Sequence, residues 1–111
     1  MNIRFSDGHI RVRVTTRELE RLIAGRSLTL EVPMPRSHRF RASVGTAVFG
    51  DWQLDSDPTG IWLTLPRTDV QEFQKELPSK EGLQHDFILD GSKLSVSFEV
   101  DLRKQSEQKA A

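Results

Sequence analysis

Three arginines near the start of the chain are spaced so that they can hold an anion. Asp7-Gly8 lies between two alternating segments, and a two-residue turn there sets Arg4 opposite Arg11, Asn2 opposite Arg13, Ile3 opposite Val12 and Phe5 opposite Ile10. One face of that hairpin is apolar, with Ile3, Phe5, Ile10, Val12 and Val14; the other carries Arg4, Arg11 and Arg13. Like charges directly across a ladder repel, so protein carboxylates, an anionic ligand or water must compensate them. Arg39 and Arg41 sit on the polar side of their own strand, opposite in parity to Phe40 and Ala42. If that strand adjoins the first hairpin, five guanidiniums converge. The planar guanidinium binds carboxylate or phosphate through two parallel bonds, which suits an anionic small molecule or an acidic protein partner. The opposing reading is that Glu31, Glu99 and Asp101, on polar faces of their own strands, neutralise these arginines, the commoner situation for surface charges.

Trp62 is the second candidate. It falls beside Thr64 on the polar side of a strand whose other side carries Ile61, Leu63 and Leu65. A tryptophan there can anchor a partner or stack on a ligand, or be covered by a helix, a loop or a second copy of the chain. The three histidines, His9, His38 and His85, are scattered and no pair has the i, i+4 spacing of a helical metal motif. His85 and Asp86 are adjacent on a strand and so point to opposite faces. Nucleophile-elbow and phosphate-loop glycine patterns are absent. Asp51, Asp55 and Asp57 lack the terminal glutamate of a calcium loop and are followed at once by Pro58. The residues therefore point to no catalytic group, no metal and no cofactor.

These candidates need a scaffold. Thr15-Thr16-Arg17-Glu18 is a capping box, in which Thr15 caps the Glu18 amide while Glu18 reaches back, and Val14 with Leu19 can form a hydrophobic staple. Leu19, Leu22 and Ile23 give the buried stripe of that helix, and Gly25 ends it. Segments 27–32 and 39–44 alternate as strands joined through Pro33-Met34-Pro35-Arg36-Ser37, and Gly45 marks a bulge or bend before 47–49. Segments 52–56 and 61–65 flank Asp57-Pro58-Thr59-Gly60, and a second helix is expected to start at Thr68, with Gln71 completing a capping box and Pro78 stopping it. Segment 83–89 turns at Asp90-Gly91 and returns through Leu94, Val96, Phe98, Val100 and Leu102. Two hairpin-helix-strand units in the same order suggest an internal duplication, with few identities between them.

The chain has 111 residues, no cysteine and a net charge of zero. That length suits one domain over residues 1–103, with 104–111 as a flexible polar tail. The neutral total hides a segregation. Residues 1–50 hold nine arginines and no lysine against four acids, a balance of +5; residues 51–111 hold two arginines and five lysines against twelve acids, a balance of −5. An acidic half can cover a basic half, within one chain or between copies as a homodimer. The balance does not favour nucleic acid. The opening residues have no apolar signal-peptide core and no window is long enough to span a membrane, so the expected location is the cytoplasm.

The opening I-R-x-x-D-G-x-I-R-V-R-V-T with the Thr15–Leu19 cap resembles, over Ile3 to Leu22, the start of a family of small bacterial proteins, the domain of unknown function DUF7009. Those proteins begin with the same two isoleucine-arginine strands, tight turn and threonine-capped helix. The resemblance implies that Arg4, Arg11 and Arg13 belong to a recurrent hairpin pattern, and it brings no activity or catalytic residues with it. The duplicated order is also similar to that of triphosphate tunnel enzymes, but their E-x-E-x-K run is replaced here by Ile10-Arg11-Val12-Arg13-Val14, so that activity is not expected.

The expected fold is α+β, with about eight mainly antiparallel strands in a curved sheet or half-open barrel and two short helices. The expected function is a non-enzymatic binding or protein-interaction module whose arginine face, Arg4, Arg11, Arg13, Arg39 and Arg41, takes an anionic group. Two alternatives stay open: a small metal-independent enzyme acting on a phosphorylated or carboxylate substrate with His9, His38 or His85 carrying the proton, and a structural homo-oligomer.

Overall fold

Alternating apolar residues around tight turns make four hairpins in this chain, and two helices separate them into sets. The computed structural model describes residues 1–78 and 81–102; the tail expected at 104–111 lies outside the described residues. The elements are β1 (Asn2–Ser6), β2 (His9–Val14), α1 (Thr16–Ile23), β3 (Leu28–Met34), β4 (His38–Ala47), β5 (Gln53–Asp57), β6 (Gly60–Pro66), α2 (Arg67–Lys75), β7 (Leu83–Leu89) and β8 (Ser92–Val100). The fold is thus α+β, as the sequence suggests.

The single curved sheet or half-open barrel is corrected to two separate four-stranded sheets, ordered β1-β2-β8-β7 and β3-β4-β6-β5. The reason lies in two parallel pairings, β2 with β8 and β4 with β6, that join hairpins far apart in sequence. Within each hairpin the pairing is antiparallel. The chain divides into two compact units, one of Met1–Leu19 with the described residues from Phe73 onward and one of Glu20–Glu72. The first holds the β1-β2-β8-β7 sheet, with Ile10, Val12, Val14, Leu19, Phe73, Val96 and Phe98 buried; the second holds the other sheet, with Leu22, Leu28, Ala42, Val44, Leu63, Leu65 and Val70 buried.

The start of α1 follows its capping box. The Glu18 amide donates to Thr15 Oγ1 at 3.1 Å and the Thr15 amide donates to Glu18 Oε1 at 2.9 Å. At its other end Gly25 takes a φ of 88°, and the Arg26 and Gly25 amides close on the Arg21 and Leu22 carbonyls at 2.9 and 3.0 Å, a Schellman ending. Three other expectations change. Helix α2 begins at Arg67, so Thr68 lies inside its first turn and is not the cap; β6 runs through Pro66 straight into the helix. The β3–β4 hairpin extends through Pro33 and Met34 and turns over Pro35-Arg36-Ser37, with Arg36 and Ser37 at φ of 64° and 60°. Strand β4 continues past Gly45 to Ala47, and its register with β6 runs through Gly45 without an extra residue, so there is no bulge there.

Candidate functional site

The β1–β2 register is the one read from Asp7-Gly8: Arg4 faces Arg11 and Asn2 faces Arg13. Because β8 lies on the other side of β2 and β7 beyond it, Arg4, Arg11, Ser97 and Gln84 form one row across all four strands. Neighbouring strands are about 4.8 Å apart, so the row spans roughly 14 Å. Alternation puts these residues on the face opposite the buried Ile10, Val12, Val96 and Phe98. The strands contribute Arg4, Arg11, Arg13 and Lys93 to this face against Asp86 and Glu99, an excess of positive charge.

Arg11 is neutralised from within. Its Nε and Nη2 donate to Glu99 Oε2 and Oε1 at 2.6 and 3.0 Å, a two-point bond. Arg4 and Arg13 differ: among the described residues neither has a carboxylate within 4 Å, and Arg13 Nε is buried with no hydrogen-bond partner. Arg13 also lines a cavity of about 40 Å3 with Met1, Glu18 and Asp101, a volume for one or two waters and not for a metabolite. A larger groove of about 430 Å3 opens on the same side of the sheet, lined by Arg11, Glu81, Gly82, Leu83, Gln84, Ser97 and Glu99.

Arg39 and Arg41 do not join this face. Their strand β4 belongs to the other sheet, where its neighbours are β3 and β6, so the condition for five converging guanidiniums is not met. Both lean on one carboxylate, with Arg41 Nε 3.0 Å and Arg39 Nη1 3.5 Å from Glu31. The strands of that sheet also carry Asp55 and Asp57 on the same side, so its charge is not positive. Neutralisation by protein carboxylates, the opposing reading of the sequence, therefore holds for Arg11, Arg39 and Arg41. Trp62 stands on the outer face of this sheet, 38% exposed, between Ser43 and Asp55 on the flanking strands.

The histidines separate as well. His9 Nε2 lies 2.7 Å from Ser97 Oγ, next to the arginine row. His38 Nδ1 is 2.9 Å from the Pro35 carbonyl in its own hairpin, and His85 is half-buried, edge-on to Phe87 with ring centroids 4.7 Å apart. A serine beside a histidine is the beginning of a nucleophile, but acyl transfer also needs donors for the developing oxyanion. Ser97 sits in the middle of β8, whose backbone is laddered to β2 and β7 on both sides. Its neighbours on the outer face are Arg11 on β2 and Gln84 on β7.

The Arg11 bond holds the Glu99 carboxyl below the usual carboxylate range, against the opposing effect of burial. Asp86 is lowered by the Ser95 hydroxyl, which donates at 2.7 Å. For Glu18, burial pushes upward, and the Met1 amine, at 2.7 Å, together with the Thr15 bonds outweighs it. A carboxyl with a depressed folded-state pKa stabilises the fold above its unfolded value and loses that contribution as pH falls through the folded value. Urea midpoints should therefore hold through neutral pH and decline below the usual carboxylate range. A Glu99→Gln variant should show a shallower decline, and an unchanged slope would count against the Arg11 bond.

Among the described residues no group of histidine and carboxylate side chains is placed to hold a metal, and no helix is long and apolar enough to cross a membrane. No family model matches the chain, and comparison with curated proteins and with solved structures returns no match.

Proposed function

We propose that this protein is a non-enzymatic binding module whose β1-β2-β8-β7 sheet accepts an acidic, extended partner on its outer face. The observation that carries this reading is the donor row Arg4–Arg11–Ser97–Gln84, flanked by Arg13, in which neither Arg4 nor Arg13 forms an ion pair within 4 Å among the described residues; Glu99, across the ladder from Arg13, is bonded to Arg11. Every side chain in the row can donate a hydrogen bond. A row of roughly 14 Å fits several acceptors along an acidic peptide better than a single small anion. Arg11 serves as a fixed strut, since Glu99 already holds its Nε and Nη2 donors along one edge of the guanidinium, while Arg4 and Arg13 are the arms that bind.

A thermal-shift series tests this. A short glutamate-rich peptide should raise the melting temperature; at a hundredfold its dissociation constant, one-site binding to the folded state adds about 2.7 kcal/mol. An Arg4→Gln, Arg13→Gln double variant should lose that rise, and added salt should weaken it. A rise with citrate or phosphate alone would reassign the site to a small anion. No rise with any of them, or an equal rise in the double variant, removes the arginine face as a binding site.

A further inference from the structure

The two halves of the chain are structural duplicates whose registers correspond. Strands β1 and β2 pair Asn2 with Arg13 through Ser6 with His9; β5 and β6 repeat that ladder from Gln53 with Thr64 to Asp57 with Gly60, an offset of 51 (53 − 2). The parallel seam of one sheet, His9–Ser95 through Val14–Val100, corresponds to Gly60–Arg41 through Leu65–Thr46 in the other. Smaller details follow the same correspondence. The Ser95 amide donates to the Gly8 carbonyl at 3.0 Å and the Arg41 amide to the Thr59 carbonyl at 2.9 Å. The Met1 amine donates to Glu18 and the Trp52 indole Nε1 to Asp69 at 3.3 Å, each an acid in the first turn of a helix.

Neither half completes a sheet. The first half gives β1–β2 to one sheet and β3–β4 to the other, and the second half supplies the missing hairpin to each. Both seams, β2–β8 and β4–β6, therefore join one half to the other, and residues 48–52 are the only covalent link between them. From this we propose that the fold accepts a second copy of this chain as a partner by exchange of halves. Residues 1–47 of one copy pair with residues 53–102 of the other, and each seam keeps its register. Opposite charge makes first-with-second pairing the favoured one, +5 against −5, and the Arg11–Glu99 bond crosses a seam.

The link sets the balance between the closed monomer and the exchanged dimer. Ala47 pairs with Pro66 on one side of β6, and Gln53 pairs with Thr64 on the other. Two strand spacings and a two-residue offset put those ends roughly 12 Å apart. The six peptide steps from Ala47 to Gln53 reach about 20 Å, but three steps reach only about 11 Å. Deleting Val48, Phe49 and Gly50 makes closure within one chain too short while leaving exchange open.

Two arms test exchange on the full chain. The 48–50 deletion, refolded and measured by light scattering, should be a dimer that persists in high salt, because its seams are backbone ladders and buried side chains. The second arm uses Arg11→Glu and Glu99→Arg chains. Each alone sets like charges across the β2–β8 seam, whereas an exchanged pair of one chain with the other restores opposite charges at both copies of that seam. Refolded together they should give a one-to-one heterodimer, and native mass spectrometry should find it well above either homodimer. If the deletion chain does not fold, the mixture decides. A folded monomeric deletion chain, a co-refolded mixture that stays monomeric, or a dimer that dissociates in high salt overturns the proposal.

Discussion

Replacing Phe98 by alanine is expected to remove about 3–5 kcal/mol of folding stability, the largest loss from any single truncation in the β1-β2-β8-β7 sheet. Phe98 is fully buried. It lies in β8 with Val12 beside it on β2 and Leu83 on β7, and its ring meets that of Phe73 edge-on at 6.2 Å and 70°. Such aromatic pairs add to the burial of area alone, so the truncation removes contacts on both flanking strands and on the α2 ring at once. The duplicate position in the other sheet is Val44, also buried. Val44→Ala removes only two carbons and should cost less, about 2–3 kcal/mol by the scale of about 0.8 kcal/mol per buried methylene plus a cavity term. Urea midpoints of the two variants check the ranking. Equal losses would mean that the Phe73–Phe98 contact contributes nothing beyond a valine.

Much of this architecture is legible in the sequence wherever the governing interaction is local. Asp7-Gly8 and Asp90-Gly91 fix two hairpin registers, because a two-residue turn leaves one way to pair the flanking strands. Thr15 and Glu18 fix the start of α1, because each supplies the bond the other lacks. The start of α2 is misread for an instructive reason. Thr68 and Gln71 have the spacing of a capping box, but Pro66 has a fixed φ and no N–H to lose, so the helix begins directly after it. The Trp52–Asp69 contact repeats the Met1–Glu18 separation of 17 residues, a periodicity in the sequence that points to Pro66 as the counterpart of Thr15.

Strand order was not legible, and it governs the site. No local signal joins His9 to Ser95 or Gly60 to Arg41; those pairings depend on the burial of whole faces. Yet they assign Glu99 to Arg11 and Glu31 to Arg39 and Arg41, and so leave Arg4 and Arg13, on the outer face of one sheet, without an ion pair within 4 Å among the described residues. The duplication sharpens the contrast. Inner positions are apolar in both halves, as with Ile10 and Ile61, Val12 and Leu63, or Val14 and Leu65, whereas the outer position of Arg11 is taken by Trp62. What the halves share is what the fold needs, and where they differ the two surfaces have separated in chemistry.

Gly60 carries that separation into the backbone, and Gly60→Ala should show it. A Cβ at this position would lie 2.1 Å from the Arg41 carbonyl oxygen and 3.1 Å from its carbon. The obstacle is backbone, so no rotamer change relieves it. Strand β6 must instead move away from β4, stretching the seam that begins at Arg41–Gly60 and the bond from the Arg41 amide to the Thr59 carbonyl. Overpacking of this kind costs about 1–3 kcal/mol and sometimes more; with a rigid obstacle on one side, the upper end is expected. The duplicate residue is His9, whose side chain is accommodated and bonds Ser97, so His9→Ala should cost little more than one hydrogen bond, about 1 kcal/mol. Chemical denaturation of the two variants separates the outcomes. A Gly60→Ala loss no larger than that of His9→Ala would mean that the β4–β6 seam can open without consequence, and that the close approach of its two backbones is not what holds the sheet together.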